Sequence, residues 1–339
     1  MKDLQHYNLK AHNTFGIDAT CSRYIEFSSM DEAVEAAVIL RSSGLPYIII
    51  GGGSNLLLTH DFEGIVVRSA IKSIVFDDTL VRSGSGVAWD NLVEQCINHG
   101  LCGVENLSLI PGDVGASAVQ NIGAYGAEVK DAIERIEAVE IATGHVCTFT
   151  NADCQYGYRD SRFKHEWKNK YLITHVTYRL KNFSLHVPPP TLNLSYGNIR
   201  TELEKRGISE PTPQQLRQVI IDIRNAKLPD PKVTGNAGSF FMNPVVSREK
   251  YEQLSTLYPD MPHYHVDDDH EKIPAGWMID QCGWKGRSLG RAGVHDRQAL
   301  VLVNLGGATG CEIVRLCQTI QHDVKAKFGI DIHPEVNIV

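Results

Sequence analysis

The sequence has no apolar run approaching the ~18–20 residues needed to cross a bilayer. Its start, MKDLQHYNLKAHNTFG, has neither an h-region nor a small-residue cleavage site, so secretion is not expected. Its eight cysteines, Cys21, Cys96, Cys102, Cys147, Cys154, Cys282, Cys311 and Cys317, contain no C-x-x-C pair. Scattered cysteines in a chain this long read as reduced, mostly buried thiols of a cytoplasmic protein, not as a disulfide or zinc framework. An excess of positive charge is missing too. There are 33 Lys+Arg against 40 Asp+Glu, a net charge of −7. That argues against a nucleic-acid partner, which needs an electropositive surface. A small anionic substrate stays open, because a few cations in one cleft outweigh the global sign. Repeats and low-complexity stretches are absent, and the longest oddity is Pro188-Pro189-Pro190.

What is present is ordinary globular composition: 339 residues, 42% hydrophobic and 22% charged, a length that suggests two or three domains. The pattern predicts a strand at Tyr24 to Phe27, a helix from about Asp31 to Ser43, and a strand from Tyr47 to Ile50. On that helix Ala33, Val34, Ala37, Val38 and Leu40 form the apolar stripe. Strands predominate from Gly64 to about Arg179, interrupted by one amphipathic helix near Ala88–His99. Thr212-Pro213-Gln214-Gln215 carries a capping threonine, a proline at the first helical position and a glutamine at the third, and so starts a helix running to about Ala226. Further helices are expected over Ser247–Leu257 and from about Thr309 to Phe328. The fold class is α+β, with boundaries near residues 70 and 215.

Two segments are rich in glycine. Gly51-Gly52-Gly53-Ser54-Asn55 follows a strand, and backbone N–H groups with no Cβ in the way form a concave anion site. It is not a G-x-G-x-x-G fingerprint, and a strand rather than a helix follows at Leu56-Leu57-Leu58. Taken alone, a plain tight turn explains it as well. The second segment, Ile110-Pro111-Gly112-Asp113-Val114-Gly115-Ala116-Ser117-Ala118-Val119-Gln120-Asn121-Ile122-Gly123-Ala124-Tyr125-Gly126, is a loop of small and apolar residues suited to a flat, mostly apolar ligand such as an isoalloxazine ring.

GGGSNLLL, ENLSLIPGDVGASAVQNIGAYG, YGYRDSRFK, KLPDP, GNAGSFFMNPVV and HPEV, in that order and over nearly the whole chain, closely resemble the UDP-N-acetylenolpyruvoylglucosamine reductase family. Leu194-Ser195-Tyr196-Gly197 in a long middle segment is similar to its type I form. The resemblance implies a two-part FAD-binding module of the vanillyl-alcohol-oxidase class. Residues 1–70, joined by 330–339, and 71–215 would be its subdomains, and 216–329 would bind substrate. It implies a monomer with non-covalent FAD that serves peptidoglycan precursor synthesis. Hydride passes from NADPH by way of FAD to the vinyl carbon of the enolpyruvyl ether, and an enolate is then protonated.

Residue by residue, the resemblance implies Ser239 as proton donor, with Arg159 and Glu335 polarising the substrate carboxylate. It implies substrate contacts at Lys227, Tyr125, Tyr196, Asn243 and Gln298, and a flavin contact at Arg224. Cofactor contacts in the glycine segments are Gly51, Gly52, Gly53, Ser54, Asn55, Pro111, Gly112, Ala116, Ser117, Asn121, Ile122 and Gly123. Each has a plainer reading. Ser239 after Gly238 suits a turn; Arg159 suits a surface pair with Asp160 or Asp153, and Glu335 one with a lysine. Lys227 suits a helix C-terminus, and the two tyrosines suit a core or rim. Two residues depart from the family pattern: Met242 and Asn337 stand where members often have basic residues. His263-Tyr264-His265-Val266-Asp267-Asp268-Asp269-His270 has metal-ligating types, but it lies outside every motif and reads as a solvated loop, so no metal is expected. The competing reading is an FAD-dependent oxidase of the same fold class, which would have no enolate for Ser239 to protonate.

Overall fold

The computed structural model describes residues 1–183 and 190–339, so Pro188 and Pro189 lie outside the described residues. The chain divides into two units. The first takes residues 1–7, 21–52 and 63–226; the second takes 8–20, 53–62 and 227–339. Helices and strands are mixed in both, the expected α+β class.

The first unit holds two sheets. One has four strands in the order Lys2–Asn8, Thr20–Phe27, Phe62–Ser69, Tyr47–Ile50, the last two running parallel. The other has five, in the order Val146–Thr150, Ile133–Glu140, Tyr171–Arg179, Leu80–Gly84, Ile74–Asp77, all antiparallel. Helix α1 (Met30–Ser43) starts at Ser29, whose side chain accepts from Glu32 N, and stops at Gly44 with φ 66°. It packs against Ile133–Glu140 and Tyr171–Arg179, and its buried side chains share one core with Ile25, Phe27, Ile65 and Val67 of the other sheet.

Its buried stripe is Ala33, Ala36, Ala37 and Leu40, spaced i, i+3, i+4, i+7. Val38, assigned to that stripe from sequence, is exposed, because one residue past Ala37 turns the side chain about 100° away. Helix α2 (Trp89–Asn98) buries Trp89, Leu92, Val93, Cys96 and Ile97, and the Trp89 indole N–H donates to Leu107 O at 2.8 Å. The segment read as a continuous loop contains a helix, α3 (Val114–Gln120). Seven residues of small side chains are too few for an apolar period to show. Helices α4 (Ile199–Lys205) and α5 (Pro213–Lys227) pack on each other through Ile199, Leu203, Leu216, Val219, Ile220 and Ile223. The Thr212 box forms as expected: Gln215 N donates to Thr212 Oγ1 and Thr212 N to Gln215 Oε1.

In the second unit a four-stranded antiparallel sheet runs Gly235–Ser239, Val301–Asn304, Ala292–Val294, Ser288–Leu289. Beside it are α6 (Arg248–Leu257), α7 (Ala275–Gln281) and α8 (Gly310–Phe328). Helix α8 lies against that sheet and buries Ile313, Leu316, Cys317, Ile320, Val324 and Phe328. Tyr258, Trp277 and Phe328 bring the ends of α6 and α8 together with α7, with ring centroids 5.3–5.6 Å apart. The histidine-rich stretch is not a loop. Tyr264–Asp267 and His270–Lys272 pair as a hairpin whose second strand also pairs with Val245–Ser247. All four residues of the first strand are exposed, so the short Tyr264-His265-Val266-Asp267 alternation has no buried face behind it. Among the described residues no group of three metal-ligating side chains converges.

Gly310 shows which effect governs α8. It is the first helical residue, where alanine has the better propensity by about 1 kcal/mol. A Cβ there would lie 1.9 Å from Leu58 O and 2.7 Å from Thr59 Cα, a clash with backbone. Gly310→Ala is therefore expected to destabilise the chain, by about 1–3 kcal/mol or more. Chemical denaturation checks this; a raised midpoint would show that propensity wins.

Candidate active site

The strand Tyr47–Ile50 delivers Gly51 and Gly52 against the second glycine segment. A Cβ on Gly51 would stand 2.7 Å from Ala116 Cβ, and one on Gly52 would stand 3.1 Å from Gly112 Cα. The lack of side chains here lets two stretches of backbone touch. The second segment is held from behind. Trp89 N donates to Gly112 O, Val114 N to Val87 O and Gly115 N to Ser85 O, each at 2.9 Å. Ser117 spends its hydroxyl on Val114 O inside α3. Asn121, with φ 46°, is wholly buried and ends the helix. Its amide donates to Gly157 O at 2.7 Å and Glu128 Oε2 at 3.2 Å, and its Oδ1 accepts from Lys130 N. Beyond Ile122, Gly123 and Ala124 pair with Ala127 and Glu128 in a short hairpin.

Arg159 and Tyr125 flank that hairpin. Arg159 has φ 54°, donates from Nη2 to Gly123 O at 2.6 Å, and carries its guanidinium 5.2 Å from the Tyr158 ring. Asp160 is held by His165 at 2.7 Å, and Asp153 accepts from Thr150. Tyr125 meets Tyr196 edge to face, with centroids 6.2 Å apart. Asn106, which sequence reasoning passed over, ties this pair by donating to Tyr125 O and Asn193 O, both at 2.9 Å. Only its place in the ENLSLIPG motif could have drawn attention to it.

Arg224 of α5 is half-buried, and its Nε is shielded from solvent with no partner among the described residues. Burial lowers the Arg224 guanidinium and raises the Tyr125 phenol, while each of the two opposes the other's shift. Asp90, also missed, takes a fork from Arg217 at 2.6 and 3.0 Å and the N–H of Leu109 at 2.5 Å. Burial pushes its carboxyl up, but these donors outweigh it and hold the group below its usual value.

In the second unit, Gly53 has φ 68°, and a Cβ there would meet His12 O at 1.9 Å. Ser239 ends the strand Gly235–Ser239 after a register shift; Gly238 has φ 69°, and its N–H donates to Asn236 Oδ1. The turn leaves Ser239 exposed while Phe240 and Phe241 are buried. Glu335 N donates to Phe240 O at 2.8 Å, and Met242 N to His333 O at 3.0 Å. This ladder sets Glu335 beside the Ser239 turn, although 96 positions separate them in the sequence. Asn55 joins them, donating to Glu335 O at 3.2 Å, and Asn337 donates to Asn55 O from both its backbone and its amide. Asn337 thus fixes Asn55 through neutral hydrogen bonds, without the charge of the family's usual residue. Asn243 accepts Ala275 N at 2.9 Å, and Gln298 Oε1 lies 3.1 Å from where a Gly276 Cβ would be, so both gather at the start of α7. Lys227 is the exposed last residue of α5.

Comparison with known proteins agrees with the motifs. Residues 21–150 match a family model described as FAD binding domain, and residues 230–339 match one described as UDP-N-acetylenolpyruvoylglucosamine reductase, C-terminal domain. A UDP-N-acetylenolpyruvoylglucosamine reductase of Bacteroides fragilis is 52% identical over 99% of both chains. The chain belongs to the UDP-N-acetylenolpyruvoylglucosamine reductase family. Members from Pseudomonas aeruginosa (45% identical, 98% of each chain) and Flavobacterium johnsoniae (43%, 100% of each) match at full length. The solved reductase of Thermus caldophilus shares the fold at a TM-score of 0.69, with 21% identity over 99% of this chain and 98% of that one.

The residues fit the flavin of this family. Two glycine segments abut without bulky side chains between them, and the nearby guanidinium of Arg224 has a buried Nε–H with no partner among the described residues. The cradle's geometry is testable without cofactor. Gly51→Ala is expected to lower the thermal midpoint through its clash with Ala116. Adding Ala116→Gly should raise that midpoint again, even though glycine alone weakens a helix by about 1 kcal/mol. A double variant below both singles would show that the two residues do not share this contact.

Proposed function

We propose that the chain reduces the enolpyruvyl ether of UDP-N-acetylglucosamine enolpyruvate to UDP-N-acetylmuramate, with NADPH as hydride donor and non-covalent FAD. FAD, when bound, supplies the capacity to accept hydride from one substrate and give it to the next. The observation that carries the reading is the rung between Glu335 N and Phe240 O, which brings the Glu335 main chain alongside the residue after the exposed Ser239. A hydroxyl is a poor acid in water, but it delivers a proton to a strongly basic carbanion held within hydrogen-bond reach. A neighbouring carboxyl suits an enolate site when it holds a proton, as the charge on the substrate carboxylate grows.

In this reading Ser239 protonates the α-carbon, and Arg159 and Glu335 hold the substrate carboxylate. Lys227, Tyr125, Tyr196, Asn243 and Gln298 bind the sugar nucleotide. The turn Gly51 to Asn55 takes the diphosphate of FAD on backbone N–H groups. In the second segment Pro111, Gly112, Ala116, Ser117, Asn121, Ile122 and Gly123, together with Arg224, take its ring system. Residues 1–70 with 330–339, 71–215 and 216–329 would then be the three functional domains. Family membership supports a cytoplasmic enzyme, and the reading takes it as a monomer.

Ser239→Ala is expected to leave flavin bleaching by NADPH nearly intact and to slow recovery of colour by the enolpyruvyl substrate. The slowing should reach the roughly 10²–10⁴-fold that a positioned acid supplies. Ser239→Cys should regain part of it. Stopped-flow absorbance separates the two half-reactions; equal slowing of both would assign Ser239 to the loop, and no slowing of either would leave it a turn residue. Neither flavin segment contains histidine or cysteine. Acid precipitation should therefore leave the yellow colour in the supernatant, and colour in the pellet would refute non-covalent binding.

A further inference from the structure

Arg68 stands on the strand Phe62–Ser69, level with Ile50, the residue before Gly51. Its guanidinium lies between two carboxylates: Nη2 is 3.0 Å from Asp113 Oδ2, and Nη1 is 3.4 Å from Glu26 Oε2. Asp113 is buried, and its Oδ1 lies 3.4 Å from where a Cβ on Gly52 would be. An acid therefore stands directly beneath the glycine turn. It occupies the N-cap position of α3, yet its side chain makes no cap bond. Asparagine or serine would serve a cap as well without the charge. Glu26 has further partners, Lys2 Nζ at 2.6 Å and the Tyr24 hydroxyl at 2.9 Å. Asp113 has Arg68, with Lys72 acting through space. Burial raises the Asp113 carboxyl above its usual value, and Arg68 opposes that shift.

We propose that Arg68 masks the charge of Asp113, so that the turn at Gly51 and Gly52 accepts the anionic diphosphate of FAD. This rests on that turn being the diphosphate loop, as proposed above. An unmasked carboxylate under the turn repels a diphosphate strongly, because Asp113 is buried and its charge acts through a low effective dielectric. Paired with Arg68, it presents almost no net charge. A pair that merely tied the two segments together would behave differently on mutation. Loss of either partner would then do the same damage, and loss of both would be no better than loss of one.

The test titrates the full-length chain, stripped of flavin, with FAD and with riboflavin, which has no phosphate; quenching of flavin fluorescence reports binding. Arg68→Gln should weaken FAD roughly tenfold or more, while changing riboflavin by less than about twofold. Asp113→Asn should leave FAD affinity at or above the wild-type value, and Arg68→Gln with Asp113→Asn should recover most of the loss. If Arg68→Gln fails to fold, Asp113→Asn and the charge-keeping Arg68→Lys decide, both binding FAD within roughly threefold of wild type. An Asp113→Asn chain that loses FAD as badly as Arg68→Gln, equal losses for FAD and riboflavin, or a double variant worse than either single would overturn the masking. Wild-type chain that binds riboflavin as tightly as FAD would instead overturn the diphosphate reading of the turn, and the masking with it.

Discussion

Two pieces of backbone touching without a Cβ between them is the constraint on which the first unit depends. A methyl on Gly51 would clash with Ala116 Cβ at 2.7 Å, and one on Gly52 would press on Gly112 Cα at 3.1 Å. Several choices elsewhere follow from that contact. Ala116 must be small, so α3 is built from small residues and stays short. The helix cannot bury much area of its own, so it is held by hydrogen bonds from Trp89, Val114 and Gly115 and by the Ser85 contact behind it. Asp113 gives up its capping role to meet Arg68, and that pair lies under the same turn. Contact, helix and ion pair form one device rather than three features.

The second unit solves a comparable problem with different parts. It is assembled from three separated segments of chain, and its ties therefore span long stretches of sequence. Thr14 Oγ1 donates to Asn236 O across 222 positions, and Asn55 to Glu335 O across 280. Two glycines make the close approaches possible: a Cβ on Gly235 would lie 2.2 Å from Phe15 O, and one on Gly310 would lie 1.9 Å from Leu58 O. The parallel pairing of Leu56–Leu57 with Asn337–Ile338 then fixes the chain just past Glu335. The backbone at the serine turn and at Glu335 is thus fixed by hydrogen bonds to main-chain groups, independently of the rotamers of Ser239 and Glu335.

What was legible in the sequence was what the sequence encodes locally. The α5 start was readable because Thr212 and Gln215 sit three residues apart on either side of Pro213. The Leu92, Val93, Cys96, Ile97 face was readable because it repeats with the helical period. The motif residues were readable through resemblance, not through physics. What was not legible was pairwise and distant. Arg68 and Asp113 are 45 positions apart, and Arg217 and Asp90 are 127, with nothing in either local pattern to name the partner. The hairpin Tyr264–Lys272 escaped for a different reason. Its exposed strand buries no face and is held by backbone pairing and surface contacts such as His265 with Glu271, so its composition resembles that of a loop.

The net charge of −7 gives a final step of argument. Summed over the chain it opposes anions at long range, and FAD, NADPH and a sugar nucleotide are all anions. The structure shows why the sum misleads. Much of the negative charge near the glycine segments is already answered: Asp113 by Arg68, Glu26 by Lys2 and Arg68, and Asp90 by Arg217. What a ligand feels is the remainder within about 8–10 Å, since salt screens the rest. Near Tyr125 that remainder includes the half-buried guanidinium of Arg224, whose nearest acid already has a closer cation. A site for anions in an acidic protein is therefore built by pairing acids locally rather than by removing them from the chain.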